Sequence, residues 1–131
     1  MNVPEHLRYT ADHEWALVDG DRVRVGITHF AQEALGDVVF VQLPQLGTDV
    51  EAGGTFSEVE STKSVSDVYA PVSGRVVEVN SGLLESPQRL NEDPYGEGWI
   101  AVIATEAGAA VVDLLEAGAY RQLIAGQDQP G

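Results

Sequence analysis

The sequence has no cysteine and a single lysine, and it contains no apolar run approaching the length of a membrane span. Without cysteine there is no disulfide framework, no thiolate metal site and no thiol nucleophile. Met1 to Leu7 holds Pro4 and Glu5 and lacks an apolar core, so it is not expected to act as a secretory signal. Basic residues are scarce: 7 Lys and Arg against 21 Asp and Glu leave a net charge of −14. Phosphate backbones and anionic lipid surfaces would be repelled, which argues against nucleic acid and membrane as partners. The charge suits solubility and encounters with basic protein surfaces. His6, His13 and His29 lack the spacing of a helical metal motif, so no metal is expected. No serine stands in a G-x-S-x-G elbow, and no catalytic residue is expected.

What is present is more pointed. Lys63 is the only lysine, and the other basic residues are Arg8, Arg22, Arg24, Arg75, Arg89 and Arg121. An amine can lose its proton and attack an activated acyl group, whereas a guanidinium stays charged. A lone lysine is therefore a unique attachment point for an amide-linked group. Thr55 to Ser61 alternates as a strand, and Val65 to Ala70 reads as a second. Between them Ser61-Thr62-Lys63-Ser64 has the length of a hairpin turn.

At 131 residues and 44% apolar content, a single domain over residues 1–131 is expected, with the lysine hairpin at about 55–70. Arg22 to Ile27 alternates polar and apolar and reads as a half-buried strand. Thr28 is a candidate N-cap for a helix over His29 to Leu35, with Gly36 at its end. Val38 to Val41 reads as a buried strand, Arg75 to Val79 as another, and Trp99 to Ile103 as the last. Ser86-Pro87 reads as the start of one helical turn. Asp113 to Ile124 suits an amphipathic helix, the C-terminal one at about 113–124, and Gln127 to Gly131 a tail. Gly36-Asp37-Val38-Val39-Phe40-Val41 parallels Gly74-Arg75-Val76-Val77-Glu78-Val79. Two such units on either side of a hairpin suggest two small sheets facing each other. The residues alone describe a small β-rich domain with peripheral helices.

The segment Glu60-Ser61-Thr62-Lys63-Ser64-Val65-Ser66-Asp67, followed by Ala70-Pro71-Val72-Ser73-Gly74, resembles the lipoyl-attachment segment of the glycine cleavage system H-protein family. Biotin carriers flank their lysine with methionine, whereas Thr62 and Ser64 stand here. The resemblance extends through Tyr9 with His13-Glu14-Trp15, Gly26-Ile27-Thr28, Leu35-Gly36-Asp37, Leu90-Asn91, Pro94-Tyr95 and Gly98-Trp99. His29 stands where the family commonly has Asp, and a small change in helix capping or surface charge is expected there. The resemblance implies a mostly β fold with peripheral helices, a lipoyl/biotinyl-type flattened β-sandwich or barrel-sandwich hybrid. It implies lipoic acid bound as an amide to Lys63, with Glu60 helping the lipoylating enzymes choose their target. Asp12, Glu14 and Asp67 would line a cavity for the aminomethyl-loaded arm.

The implied partners are glycine decarboxylase with pyridoxal phosphate, aminomethyltransferase with tetrahydrofolate, and dihydrolipoamide dehydrogenase with FAD. The chain would be a monomeric, non-catalytic carrier in the bacterial cytoplasm. Two alternatives stand beside this one. The first is a lipoyl carrier for another pathway, such as a 2-oxo acid dehydrogenase or lipoyl relay. The second is a binding domain with an unmodified lysine.

Overall fold

The computed structural model describes residues 2–106 and 114–128. Its strands are β1 (Arg8–Tyr9), β2 (Glu14–Asp19), β3 (Arg22–Ile27), β4 (Val38–Gln42), β5 (Asp49–Val50), β6 (Thr55–Ser61), β7 (Val65–Tyr69), β8 (Gly74–Val79) and β9 (Ala101–Ala104). Its helices are α1 (His29–Leu35), α2 (Gly82–Glu85), α3 (Arg89–Glu92) and α4 (Ala117–Asp128). The strands form two antiparallel sheets. One is six-stranded in the order β1-β2-β3-β9-β8-β5, and the other three-stranded in the order β4-β6-β7.

Period-two patterning makes the core. In β3 Val23 and Val25 are buried while Arg22 and Arg24 face water. Val23, Val25, Val76, Ala101 and Ile103 of the large sheet share one apolar cluster with Val41, Phe56, Val59 and Val68 of the small one. A second cluster lies on the other side of β1 and β2, where Tyr9 and Trp15 meet Tyr120 and Ile124 of α4. Tyr9 and Tyr120 stack at 4.6 Å between ring centroids. Trp15 lies over Gly26, its cross-strand partner, so closely that a Cβ there would sit 2.6 Å from the indole. Burying side chains of this size stabilises by about 1.5–3 kcal/mol each.

Helix α1 has the ends its residues call for. Thr28 Oγ1 accepts from Ala31 N–H at 3.2 Å, and Gly36, at φ 80°, closes the helix by donating its N–H to Gln32 O at 3.0 Å. His29 adds no cap of its own; its N–H donates to the Tyr95 hydroxyl, and its ring faces Glu33 at 3.6 Å.

Two expectations need correction. The run Val38 to Val41 is not buried throughout: Val39 is 53% and Phe40 44% exposed. A bulge between Val38 and Phe40 adds a residue to the strand, so Val38 and Val41 face inward while the two between them face out. The C-terminal helix begins at Ala117, because Leu115 exchanges both backbone hydrogen bonds with Tyr9, at 2.8 and 2.7 Å, and is extended. Asp113 lies outside the described residues, and Gln127 and Asp128 continue the helix rather than a tail. Ser86-Pro87 opens one helical turn, as expected: Arg89 N–H donates to Ser86 O at 3.1 Å and Leu90 N–H to Pro87 O at 3.2 Å, and the turn leads into α3.

The internal repeat is real in three dimensions. Its two copies are β4 and β8, one in each sheet, and β8 breaks register between Val76 and Glu78, at the same place as β4.

Candidate functional site

The lysine turn is built by Ser61. Its Oγ accepts from Lys63 N–H and Ser64 N–H, each at 3.1 Å, and its N–H donates to Ser64 O at 2.8 Å. The turn is also tied to the junction between α1 and β4, where Thr62 N–H donates to Asp37 O at 3.0 Å. Asn91 of α3 holds that junction from behind. Its Nδ2 donates to Gly36 O at 2.8 Å, and its Oδ1 accepts from Val38 N–H at 2.9 Å. Lys63 is therefore an exposed side chain on a braced backbone. Its stem runs over Gly36, where a Cβ would come within 3.0 Å of Lys63 Cε.

Beside the turn lies a cavity of about 290 Å³. Its apolar wall comes from α1 and the core, through Phe30, Ala31, Leu35, Ile27 and Val59, and its polar rim includes Asp12, Glu14 and Asp67. The three carboxylates expected at the site thus come together around one space. Asp12 and Asp67 are exposed, whereas Glu14 is only 2% exposed. Glu60 is elsewhere, on β6, paired with Phe40 on one side and Val65 on the other.

Thr10 organises the acidic segment. Its hydroxyl accepts from Asp12 N–H and Glu14 N–H, at 3.3 and 3.2 Å, and donates to Glu14 Oε1 at 2.6 Å. Glu14 Oε2 accepts from Tyr69 N–H at 3.3 Å, so a carboxylate rooted in the large sheet reaches the small one. Burial pushes the Glu14 carboxyl up to about 7, against the two hydrogen bonds that favour its charge and with help from the negative charge of Asp12. A cation brought into the cavity would meet a carboxyl close to its own titration point. His13, between the two acids, has φ 71°. Its ring lies 4.5 Å from that of Phe30 and hydrogen-bonds the Tyr120 hydroxyl at 2.9 Å. The same hydroxyl pairs with Thr28 Oγ1 at 2.7 Å, which links α4 to the start of the cavity-lining helix.

Sequence reasoning missed the α1 wall, Thr10 as the partner of Glu14, and the Tyr120 link. Ala31 and Ala34, spaced to share a helix face and both lining the cavity, were the available signal for the wall. Nothing local signalled the other two. Among the described residues no cluster of His, Cys, Asp and Glu could hold a metal ion, and no helix is long and apolar enough to cross a membrane.

A family model described as glycine cleavage H-protein matches residues 7–127. The chain belongs to that family. A curated glycine cleavage system H protein from Mycolicibacterium smegmatis is 57% identical over 126 residues, covering 93% of this chain and 96% of that protein. One from Corynebacterium jeikeium is 58% identical over 124 residues, covering 91% and 94%, and one from Halalkalibacterium halodurans 50% identical over 123, covering 94% and 96%. The crystal structure of a glycine cleavage system H protein from Mycobacterium marinum superposes with a TM-score of 0.84 at 48% identity, covering 96% of this chain and 98% of that one. The fold is the expected one, mostly β with peripheral helices. The family is a carrier component of its system rather than one of its catalysts.

Proposed function

We propose that the chain is the lipoyl carrier of a glycine cleavage system, with lipoic acid joined to Lys63 through an amide. The observation that carries this reading is one amine, on a braced turn, beside a cavity whose charged rim contains carboxylates but no lysine or arginine. The lysine side fits the group: Nζ is exposed, and the Ser61 and Asp37 contacts fix where a flexible tether starts. The cavity side fits as well, since α1 offers an apolar wall to a hydrocarbon arm. When bound, the group would supply a disulfide that can be reduced as it takes up an aminomethyl unit, and the dithiol left after that unit has gone would yield the electrons.

The residues of the chain do the positioning. Glu14, Asp12 and Asp67 hold a cationic amine at the end of the arm, and Glu14 does so best because attraction strengthens where water is excluded. Phe30, Ala31 and Leu35 keep water from the loaded end, which slows its loss to side reactions. A rigid sheet and a short flexible tether keep the arm at high local concentration at each docked partner. Those partners are glycine decarboxylase, which supplies the aminomethyl unit, aminomethyltransferase, which receives it, and dihydrolipoamide dehydrogenase, which takes the electrons. Glu60 is assigned to recognition by the lipoylating enzymes, and its place outside the cavity suits that separate duty.

Intact mass of the protein from its native host is expected to show a lipoyl adduct, located to Lys63 by peptide mapping. Reconstitution with glycine decarboxylase is expected to support glycine–bicarbonate exchange. A modified protein that fails in exchange but serves a 2-oxo acid dehydrogenase would move it to another pathway. An unmodified Lys63 would end the carrier reading. Within it, Glu14→Ala is expected to speed formaldehyde release from the loaded protein and to leave lipoylation unchanged.

A further inference from the structure

The loop between β1 and β2 keeps a side chain where glycine would stand without strain. Thr10 N–H donates to Glu14 O at 3.0 Å and His13 N–H to Thr10 O at 3.2 Å, so Ala11, Asp12 and His13 make a three-residue hairpin loop. Such a loop ends on a residue in the left-handed region, which glycine fills most easily. His13 stands there at φ 71°, alone among the described non-glycine residues. Strain of this kind persists where the surroundings hold it, and it gathers at functional sites. The His13 ring packs on Phe30, a wall of the cavity, and its Nδ1 meets the Tyr120 hydroxyl at 2.9 Å. That hydroxyl continues to Thr28 Oγ1 at 2.7 Å, which also accepts from Ala31 N–H. Thr28 and Tyr120 are both fully buried. The His13 backbone is tied to the same place, its C=O accepting from Thr28 N–H at 3.0 Å.

We propose that His13 is a positioning residue for the amine end of the loaded arm, and that α4 sets its ring through Tyr120. The proposal rests on the loaded arm lying in the cavity. The hydrogen bonds have one direction that uses every hydroxyl proton: Ala31 N–H donates to Thr28 Oγ1, Thr28 O–H to the Tyr120 oxygen, and Tyr120 O–H to His13 Nδ1. In the reverse direction Thr28 would accept from both Ala31 and Tyr120, and among the described residues its own proton has no other acceptor. A buried hydroxyl proton left unused is costly, so His13 accepts at Nδ1 and carries its proton on Nε2. Held at Nδ1 by α4 and on its face by Phe30, the ring keeps the hairpin loop against α1. Asp12 and Glu14 flank His13 in that loop, so the spacing between their carboxylates and the apolar wall of α1 depends on the ring. A displacement of about 1 Å in a positioning group is enough to lose most of its effect. Tyr120 does not itself line the cavity, and its influence there passes through His13.

The test uses the full-length lipoylated protein, loaded from glycine by glycine decarboxylase and then freed of that enzyme, and follows formaldehyde release. The variants are His13→Gly, Tyr120→Phe, the two together, and Glu14→Ala. Glycine suits a φ of 71°, so His13→Gly is expected to fold and to keep wild-type rates of lipoylation and of reoxidation by dihydrolipoamide dehydrogenase. Its loaded form is expected to release formaldehyde on the order of tenfold faster. Tyr120→Phe is expected to speed release several-fold, and the double variant to release no faster than His13→Gly, because the two residues act as one unit. Nitrogen-15 shifts of the His13 ring in wild type are expected to show Nδ1 without a proton. A wild-type release rate in folded His13→Gly, with Glu14→Ala fast, overturns the positioning role and leaves the cavity reading standing. Wild-type release in both removes both readings. Effects that multiply in the double variant, or a proton on Nδ1, overturn the link through α4. A wild-type release rate in Tyr120→Phe overturns it as well, whether or not His13→Gly folds.

Discussion

Strands β4 and β8 start from the same short pattern and break register at the same place, yet their surroundings differ. β8 is paired on both sides, by β9 and β5, inside the six-stranded sheet; β4 is an edge of the three-stranded one. Their leading glycines are needed for different reasons. At Gly74 a Cβ would sit 2.0 Å from Ala104 O, so the constraint is the close approach of two strands. At Gly36 the backbone has φ 80°, where it closes α1 and passes under the Lys63 stem. Charge divides the same way. Strands of the large sheet carry Arg8, Arg22, Arg24 and Arg75, while those of the small sheet carry no basic residue. The same short pattern serves in one sheet as an interior strand and in the other as an edge strand beside the lysine turn.

Lys63→Arg breaks this division most sharply. It is expected to abolish lipoylation and carrier activity altogether, and to change stability by no more than the roughly 0.5 kcal/mol usual for an exposed side chain. Mass spectrometry and a urea-unfolding curve read the two effects separately.

Glu14 tests where the two sheets meet. Its folded carboxyl titrates at about 7 instead of near 4.5, so its protonated form is the one the fold favours. Stability from this group is complete below pH 4.5, falls as pH rises, and is lost above 7. Glu14→Gln mimics the protonated form. It is expected to match wild type near pH 4.5 and to exceed it at pH 8 by on the order of 3 kcal/mol, the linkage cost of ionising a buried carboxyl. Urea midpoints across that range check it; parallel pH profiles for the two proteins would show that the carboxyl ionises without cost.

Gly74→Ala is expected to cost about 1–3 kcal/mol, as overpacking against immobile backbone does, and to leave the chemistry of Lys63 in the folded fraction unchanged. The smallest effects belong to exchanges across the repeat. Phe40→Glu and Glu78→Phe each alter a water-facing position, and each is expected to shift stability by less than about 1 kcal/mol. A large loss in Phe40→Glu would mean that the aromatic side chain serves packing.

Elements defined by neighbours in sequence were legible from it. α1 was readable from Thr28 to Gly36 because a cap, a helix and a left-handed closing residue are local chemistry. β3 was readable because its alternation is complete, and Lys63 because its residue type is unique. The bulge in β4 was not, since four apolar residues in a row describe a buried strand unless its pairing with β6 is known. The start of α4 was not, because Leu114 and Leu115 fit a helix equally well, and only the bonds to Tyr9 hold Leu115 extended. Of the site, Asp12, Glu14 and Asp67 were named in advance through family resemblance. Their surroundings were not.

The amino-acid sequence by itself determined that Lys63 is the single side-chain amine, the sign of the net charge, and which short segments could be strand, turn or capped helix. These depend on residue type and spacing within a few positions. Only the tertiary structure decided that Glu14 is buried and titrates near neutrality, that α1 walls the cavity, and that Phe40 faces water beside Glu60. Burial, cavity shape and cross-strand pairing are properties of segments far apart in the chain, and they exist only once the two sheets have closed on each other.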